Sequence, residues 1–139
     1  MTTVNVKENV AAAADDVWRV LSDLGGIEPN EMIAGCSLEG EGVGAVRTIS
    51  LKGGGEIVER LESLDDDARV FRYAIINDCP LPVKSYTASV AVIDAGSGAA
   101  AVDWSGSFEA AGAPEDQVVA LIEGVYRGGI QRARDKLGV

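Results

Sequence analysis

The sequence predicts an α+β fold in which a long C-terminal helix lies across the concave face of a curved antiparallel sheet. Three observations carry this expectation. Residues 33 to 108 read as β segments separated by turn words too short to hold a crossover helix, which makes neighbouring strands antiparallel. About Pro114 to Leu137 reads as one amphipathic helix. With 139 residues the chain suits a single core, so residues 1–139 are expected to form one domain.

Each element has its own signal. Thr2 to Val10 alternates, with Val4, Val6 and Val10 on one face and Asn5, Lys7 and Asn9 on the other, the period of a strand that Glu8 interrupts. Asp15 to Leu24 then places Val17, Trp18, Leu21 and Leu24 on one helical face with acids in the first turn, and Gly25-Gly26 is expected to stop that helix. Turns follow at Gly40 to Gly44, Gly53 to Gly55, Asp65 to Asp67, Asn77 to Pro82 and Ala95 to Gly98.

In the last helix, Pro114 suits a first turn. Glu115 and Asp116 lie at its start, and Arg127, Arg132, Arg134 and Lys136 lie toward the other end, complementing the dipole. Val118, Ile122, Val125, Tyr126, Ile130, Ala133 and Leu137 form its apolar stripe. Gly124, Gly128 and Gly129 each cost about 1 kcal/mol relative to alanine, so close approach to the sheet or to a ligand is expected to offset them.

Composition narrows the function classes. The chain is 47% apolar and 24% charged, which is globular, and its 22 acids against 12 bases give a net charge of −10. Such a surface repels phosphates and anionic headgroups, so neither nucleic acid nor membrane is expected as a partner. No run approaches the roughly 18 apolar residues of a membrane span, and no secretory pattern opens the chain, so a cytoplasmic location is expected. Cys36 and Cys79, without a CxxC pair, read as buried thiols. There is no histidine, which removes Ser-His-Asp and Cys-His nucleophiles and histidine-ligated metals, and no cofactor is expected.

The order of one strand, one short helical region, six further strands and a long C-terminal helix is that of the helix-grip fold. The words Asp15-Asp16-Val17-Trp18 with Leu21-Ser22-Asp23, Gly42 to Arg47, and Glu59-Arg60-Leu61 with Leu64-Asp65-Asp66 resemble the START/Bet v 1-like (SRPBCC) superfamily. They are most similar to the bacterial polyketide cyclase/dehydrase-type proteins and the plant abscisic acid receptors. The resemblance implies an internal apolar cavity and a small hydrophobic or aromatic ligand, lipid-, hormone- or polyketide-like, in a monomer or homodimer.

The receptor motifs break at the ligand-anchoring lysine, where Ala34 stands, at the gate, Ser50-Leu51-Lys52-Gly53-Gly54, and at the latch, Leu81-Pro82-Val83. Abscisic acid itself is not expected. Pocket positions carried over are Glu59, Tyr86, Tyr73 in place of a phenylalanine, Trp104 in place of a glutamate, and Leu121, Val125 and Gly129 on the helix. On the strand from Val43 to Lys52, either Arg47, Ile49 and Leu51 or Val46, Thr48 and Ser50 face inward, and the resemblance favours the second set.

Glu59 shares an apolar stripe with Ile57 and Leu61, where burial could tune it as a general acid or base. It could equally pair with Arg47 or Arg72 and hold the sheet together. Tyr86, on one face with Ala88, Val90 and Val92, either orients a polar ligand group or is a core tyrosine. Lys52, beside Gly53-Gly54-Gly55, either meets an anionic group at the mouth or is a solvated lysine. The glycines 40, 42 and 44 lead into a strand and not a helix, which excludes a nucleotide fingerprint.

Three functions stay open. The first is ligand binding through Val46, Thr48, Lys52, Ile57, Glu59, Tyr73, Tyr86, Ala88, Trp104, Leu121, Val125 and Gly129. The second is a cofactor-independent cyclase, dehydratase or lyase with Glu59 as acid/base and Tyr86 as oxyanion stabiliser. The third is a regulatory interaction protein.

Overall fold

The computed structural model describes residues 1–139 and contains nine elements. They are β1 (Thr2–Val10), α1 (Ala14–Leu21), β2 (Ile33–Glu39), β3 (Val46–Leu51), β4 (Glu56–Asp65), β5 (Val70–Ile75), β6 (Val83–Gly96), β7 (Ala99–Ala110) and α2 (Glu115–Leu137). The seven strands form one antiparallel sheet in the order β1-β7-β6-β5-β4-β3-β2. Only β1 joins out of sequence, pairing with the last strand, so the expected architecture is found.

Curvature comes from irregular pairing. Two residues oppose one step of the partner at Ile33/Gly35 in β2, at Leu61/Ser63 in β4 and at Asp94/Gly96 in β6, and β6 spends an extra residue between Lys84 and Thr87. Such bulges bend a strand and increase its twist. The one at Lys84/Thr87 also switches the alternation. Val83 is half-buried and Lys84 and Ser85 are exposed, yet Tyr86 is buried. Ser85 carries the turn with φ 53°.

Helix α2 buries Val118, Ile122, Tyr126, Ile130 and Ala133, each at most 1% exposed, and packs on β1, β7 and α1. Val125 leaves the predicted stripe, because at 100° per residue it lies on the flank next to that buried face, and it is 44% exposed. Glu8, which breaks the apolar face of β1, clamps the helix through ion pairs with Arg134 Nη1 at 3.1 Å and Arg127 Nε at 3.6 Å. Gly138, at φ 73°, closes α2, with Val139 N–H donating to Arg134 O at 3.0 Å.

Helix α1 is shorter than expected. It ends at Leu21, where Ser22 N–H makes the last bond to Trp18 O, and Asp23 O instead accepts from Gly26 N. Leu24 therefore falls outside the helix, although Val17, Trp18 and Leu21 are buried as expected. Trp18 Nε1 donates to Asp66 Oδ1 at 3.0 Å, which ties α1 to the β4–β5 hairpin. Cys36 and Cys79 are free and half-buried.

Candidate functional site

The concave face of the central strands carries a hydrogen-bonded aromatic cluster. Register places Tyr73 of β5 opposite Ala88 of β6, and Ala88 opposite Gly106 of β7, so all three point to the same side. Tyr86 and Trp104 join them from β6 and β7, and Tyr126 comes down from α2. Trp104 Nε1 donates to Tyr73 Oη at 3.2 Å. Tyr86 Oη lies 3.2 Å from Tyr73 Oη and 2.6 Å from Tyr126 Oη. Trp104 and Tyr126 stack with centroids 5.0 Å apart and planes 14° from parallel.

Two glycines permit this packing. A methyl group on Gly106 would overlap Tyr126 Oη, and one on Gly129 would lie 2.5 Å from Trp104 Cζ3. The expected close approach of helix and sheet therefore occurs at Gly129, whereas Gly124 and Gly128 face open space.

Beside the cluster lies a buried ion pair. Arg47 of β3 and Glu59 of β4 are cross-strand partners, each 8% exposed. Arg47 donates from Nε to Glu59 Oε1 at 2.8 Å, from Nη2 to the same oxygen at 2.5 Å, and from Nη1 to Leu24 O at 3.3 Å. Burial pulls the Arg47 guanidinium down, and the Glu59 carboxylate, by charge and hydrogen bond, more than restores it.

The three tyrosines are all held above the usual phenol value. For Tyr73 burial is the main cause and the Glu59 charge adds to it. Burial also dominates for Tyr86, followed by the neighbouring Tyr73 and Tyr126. Tyr126 is pushed up to about 12, chiefly by burial, against a lowering hydrogen bond from Tyr86. These hydroxyls are neutral donors at ordinary pH.

The strand phase favoured by the resemblance is corrected. Arg47 and Ile49 are buried on the concave side, and Val46 and Thr48 are half-buried on the other face. Register fixes this, since Arg47 pairs with Glu59 and Ile49 with Ile57, while Val46 and Thr48 pair with Arg60 and Val58. Val46 and Thr48 therefore stand on the opposite face, while Ile57 and Ala88 share the concave side. Lys52 is exposed in the β3–β4 turn. That turn meets the β5–β6 connection, where Pro80 Cγ lies 3.0 Å from the place a side chain on Gly55 would occupy.

On α2, Leu121, Val125, Gly129 and Arg132 follow i, i+4, i+8, i+11 spacing along one flank. Gly129 meets Trp104, while Leu121 and Val125 remain 40% and 44% exposed. The sequence reads Arg47 as a partner of Glu59 and as part of one of two possible strand phases, Tyr126 as a stripe residue and Arg132 as a dipole charge, and places none of them among the site residues. The signal for Arg132 was its place three residues beyond Gly129 on that flank.

A curved antiparallel sheet gripping one long helix, with polar groups inside the concavity, defines a helix-grip protein of the START/Bet v 1-like superfamily. The chain matches the model of the polyketide cyclase/dehydrase and lipid transport family over residues 1–138, and it belongs to that family. No curated protein matches it in sequence.

Among solved structures it is similar to XoxI from Bacillus cereus, at 25% identity and TM-score 0.85, with 98% of this chain and 95% of that one covered. Norcoclaurine synthase from Thalictrum flavum, in complex with dopamine and hydroxybenzaldehyde, has 20% identity and TM-score 0.73, with 98% and 85% covered. The aromatase/cyclase Zhui from a Streptomyces species has 19% identity and TM-score 0.74, with 98% and 95% covered. The last two likenesses show the fold.

Proposed function

We propose that this protein binds a small hydrophobic or aromatic molecule between the open flank of α2 and the β3–β5 part of the concave face. The observation that supports it is the exposure of Leu121 and Val125, 40% and 44%, on the helix flank whose Gly129 meets Trp104. Large apolar side chains left in water beside a concave apolar surface with few convergent polar groups are what a ligand site needs. Ile57 of β4 forms one wall, Trp104 of β7 bounds the site where it meets Gly129, and the Arg47–Glu59 pair forms the polar end. Affinity comes mainly from apolar area removed from water, at about 25 cal/mol per Å². Norcoclaurine synthase, which shares the fold, holds dopamine and hydroxybenzaldehyde.

Binding is favoured over the cyclase, dehydratase or lyase reading because one carboxylate oxygen of Glu59 and the Tyr86 hydroxyl are already hydrogen-bonded within the protein. Two guanidinium donors occupy Glu59 Oε1, and Tyr86 Oη is shared between Tyr73 and Tyr126. Calorimetric titration with 2-naphthalenemethanol tests the proposal. Saturable binding is expected, weakened at least tenfold by Val125→Glu, a change on an exposed flank that the fold tolerates. Unaltered affinity in that variant would place the ligand elsewhere.

A further inference from the structure

Arg132 is the cationic side chain whose buried donor is left unmet. None of the ion pairs includes it. Its Nη1 is fully buried and has no hydrogen-bond partner. An unmet buried donor is costly, more so when charged, so each one in a native structure needs a reason. Burial pulls this guanidinium below its usual value and the charge of Arg47 pulls it further, against Cys36, Asp23 and Glu28. Arg47 does not need a second anion, because Glu59 already answers it. Arg132 is the guanidinium at this end that no carboxylate contacts.

A cleft of about 200 Å³ opens beside it, lined by Gly26, Glu28, Arg132, Asp135 and Lys136. Whole small-molecule sites run to roughly 300–1,000 Å³, so this cleft fits a head group and not a complete ligand. Lys136 Nζ donates to Gly26 O at 3.2 Å, and Asp135 accepts from Gln131 Nε2 at 3.0 Å. With Glu28 also present, two acids offset two bases around the opening. A free dianion gains little there, whereas a single negative charge brought in on an apolar body meets one desolvated guanidinium. Val125 and Arg132 are seven residues apart on α2, about 10 Å along the axis, the span of a two-ring aromatic acid.

We infer that Arg132 is the anion anchor of the site and that the ligand is an apolar or aromatic monocarboxylate, its head group on the guanidinium near Gly26 and its body along Val125 and Ile57. The inference rests on the proposed ligand site and adds the ligand's class. The planar guanidinium takes a carboxylate through two parallel hydrogen bonds, which a hydroxyl of the same shape cannot replace.

Titration calorimetry of the full chain with 2-naphthoate and 2-naphthalenemethanol, in the natural sequence and in Arg132→Gln, tests it. The natural protein is expected to bind the acid at least tenfold more tightly than the alcohol. Arg132→Gln is expected to erase that preference while holding the alcohol's affinity within about twofold. Equal affinities in the natural protein, or a preference that survives in Arg132→Gln, overturn the anchor and leave the apolar site standing. Binding of neither compound overturns the site and the anchor together. Displacement of naphthoate by equimolar inorganic phosphate overturns the monocarboxylate assignment. Because Arg132→Gln removes an unpaired buried charge, its Tm is expected to equal or exceed the natural one. A clearly lower Tm makes Arg132 structural and overturns the inference.

Discussion

Gly129 and Gly106 are the positions where one methyl group decides how the site packs. Alanine at either would push Trp104 or Tyr126 out of the stacked, hydrogen-bonded arrangement, and overpacking of this kind costs about 1–3 kcal/mol. Gly124 and Gly128 sit in the same helix over open space, so alanine there only removes backbone freedom from the unfolded chain. Urea denaturation of the four single variants is expected to show Gly129→Ala and Gly106→Ala destabilised, and Gly124→Ala and Gly128→Ala stabilised by about 1 kcal/mol each. A uniform sign for the three helix variants would contradict the packing described. The sequence marks all three helix glycines as costly but cannot separate them. That separation depends on which flank of α2 meets Trp104, and helical period alone leaves it open.

At the scale of elements, the junction of β3 with β4 hangs on Arg47 and Glu59. Removing one member of a buried pair leaves the other charge uncompensated, which typically costs about 3–5 kcal/mol, whereas replacing both with apolar groups is often neutral or stabilising. Glu59→Gln is therefore expected to lower unfolding free energy by an amount in that range, and Arg47→Met with Glu59→Leu to recover most of it, as measured in urea. If the double variant is as unstable as the single one, the pair is not what holds the strands. The pairing was legible as one of two readings of Glu59. The phase of β3 was not, because Val46, Thr48, Arg47 and Ile49 alternate with a polar residue on each face, and only the cross-strand register decides between them. The bulge in β6 was equally hidden. It stores a serine at φ 53°, a region that costs a non-glycine residue about 1 kcal/mol, so Ser85→Gly is expected to raise stability by about that amount while Tyr86 keeps its place.

The architecture of the whole molecule was legible because turn words and apolar periods repeat along the entire chain, and one slip in a strand would not alter the element order. The interior was less so. Whether a gripped helix leaves space or closes it depends on how Trp104, Tyr126, Tyr73 and Tyr86 pack together, and those four belong to four different elements. Their packing sets how the protein responds to alkali. All three hydroxyls are shifted upward in the folded state, mainly by burial, from an ordinary value of 10.0. Below about pH 10 both folded and unfolded chains keep these protons, and no stability is lost. Above it the unfolded chain releases protons that the folded chain retains, so it binds fewer protons and stability falls as pH rises. For Tyr126 the loss runs from about 10 to about 12, where its folded form begins to ionise, and for Tyr73 and Tyr86 it continues beyond that range. Each buried tyrosine removes at most about 1.4 kcal/mol per pH unit within its window. Melting temperatures measured from pH 8 to 12 are therefore expected to be flat at first and then to drop steeply above about pH 10. Tyrosinate absorbance should appear only as the protein unfolds. The triple variant Tyr73→Phe, Tyr86→Phe and Tyr126→Phe gives up the hydroxyl network and should show a much shallower drop. Tyrosinate absorbance developing near pH 10 in the folded protein would show that these hydroxyls reach solvent and that the aromatic cluster does not close as described.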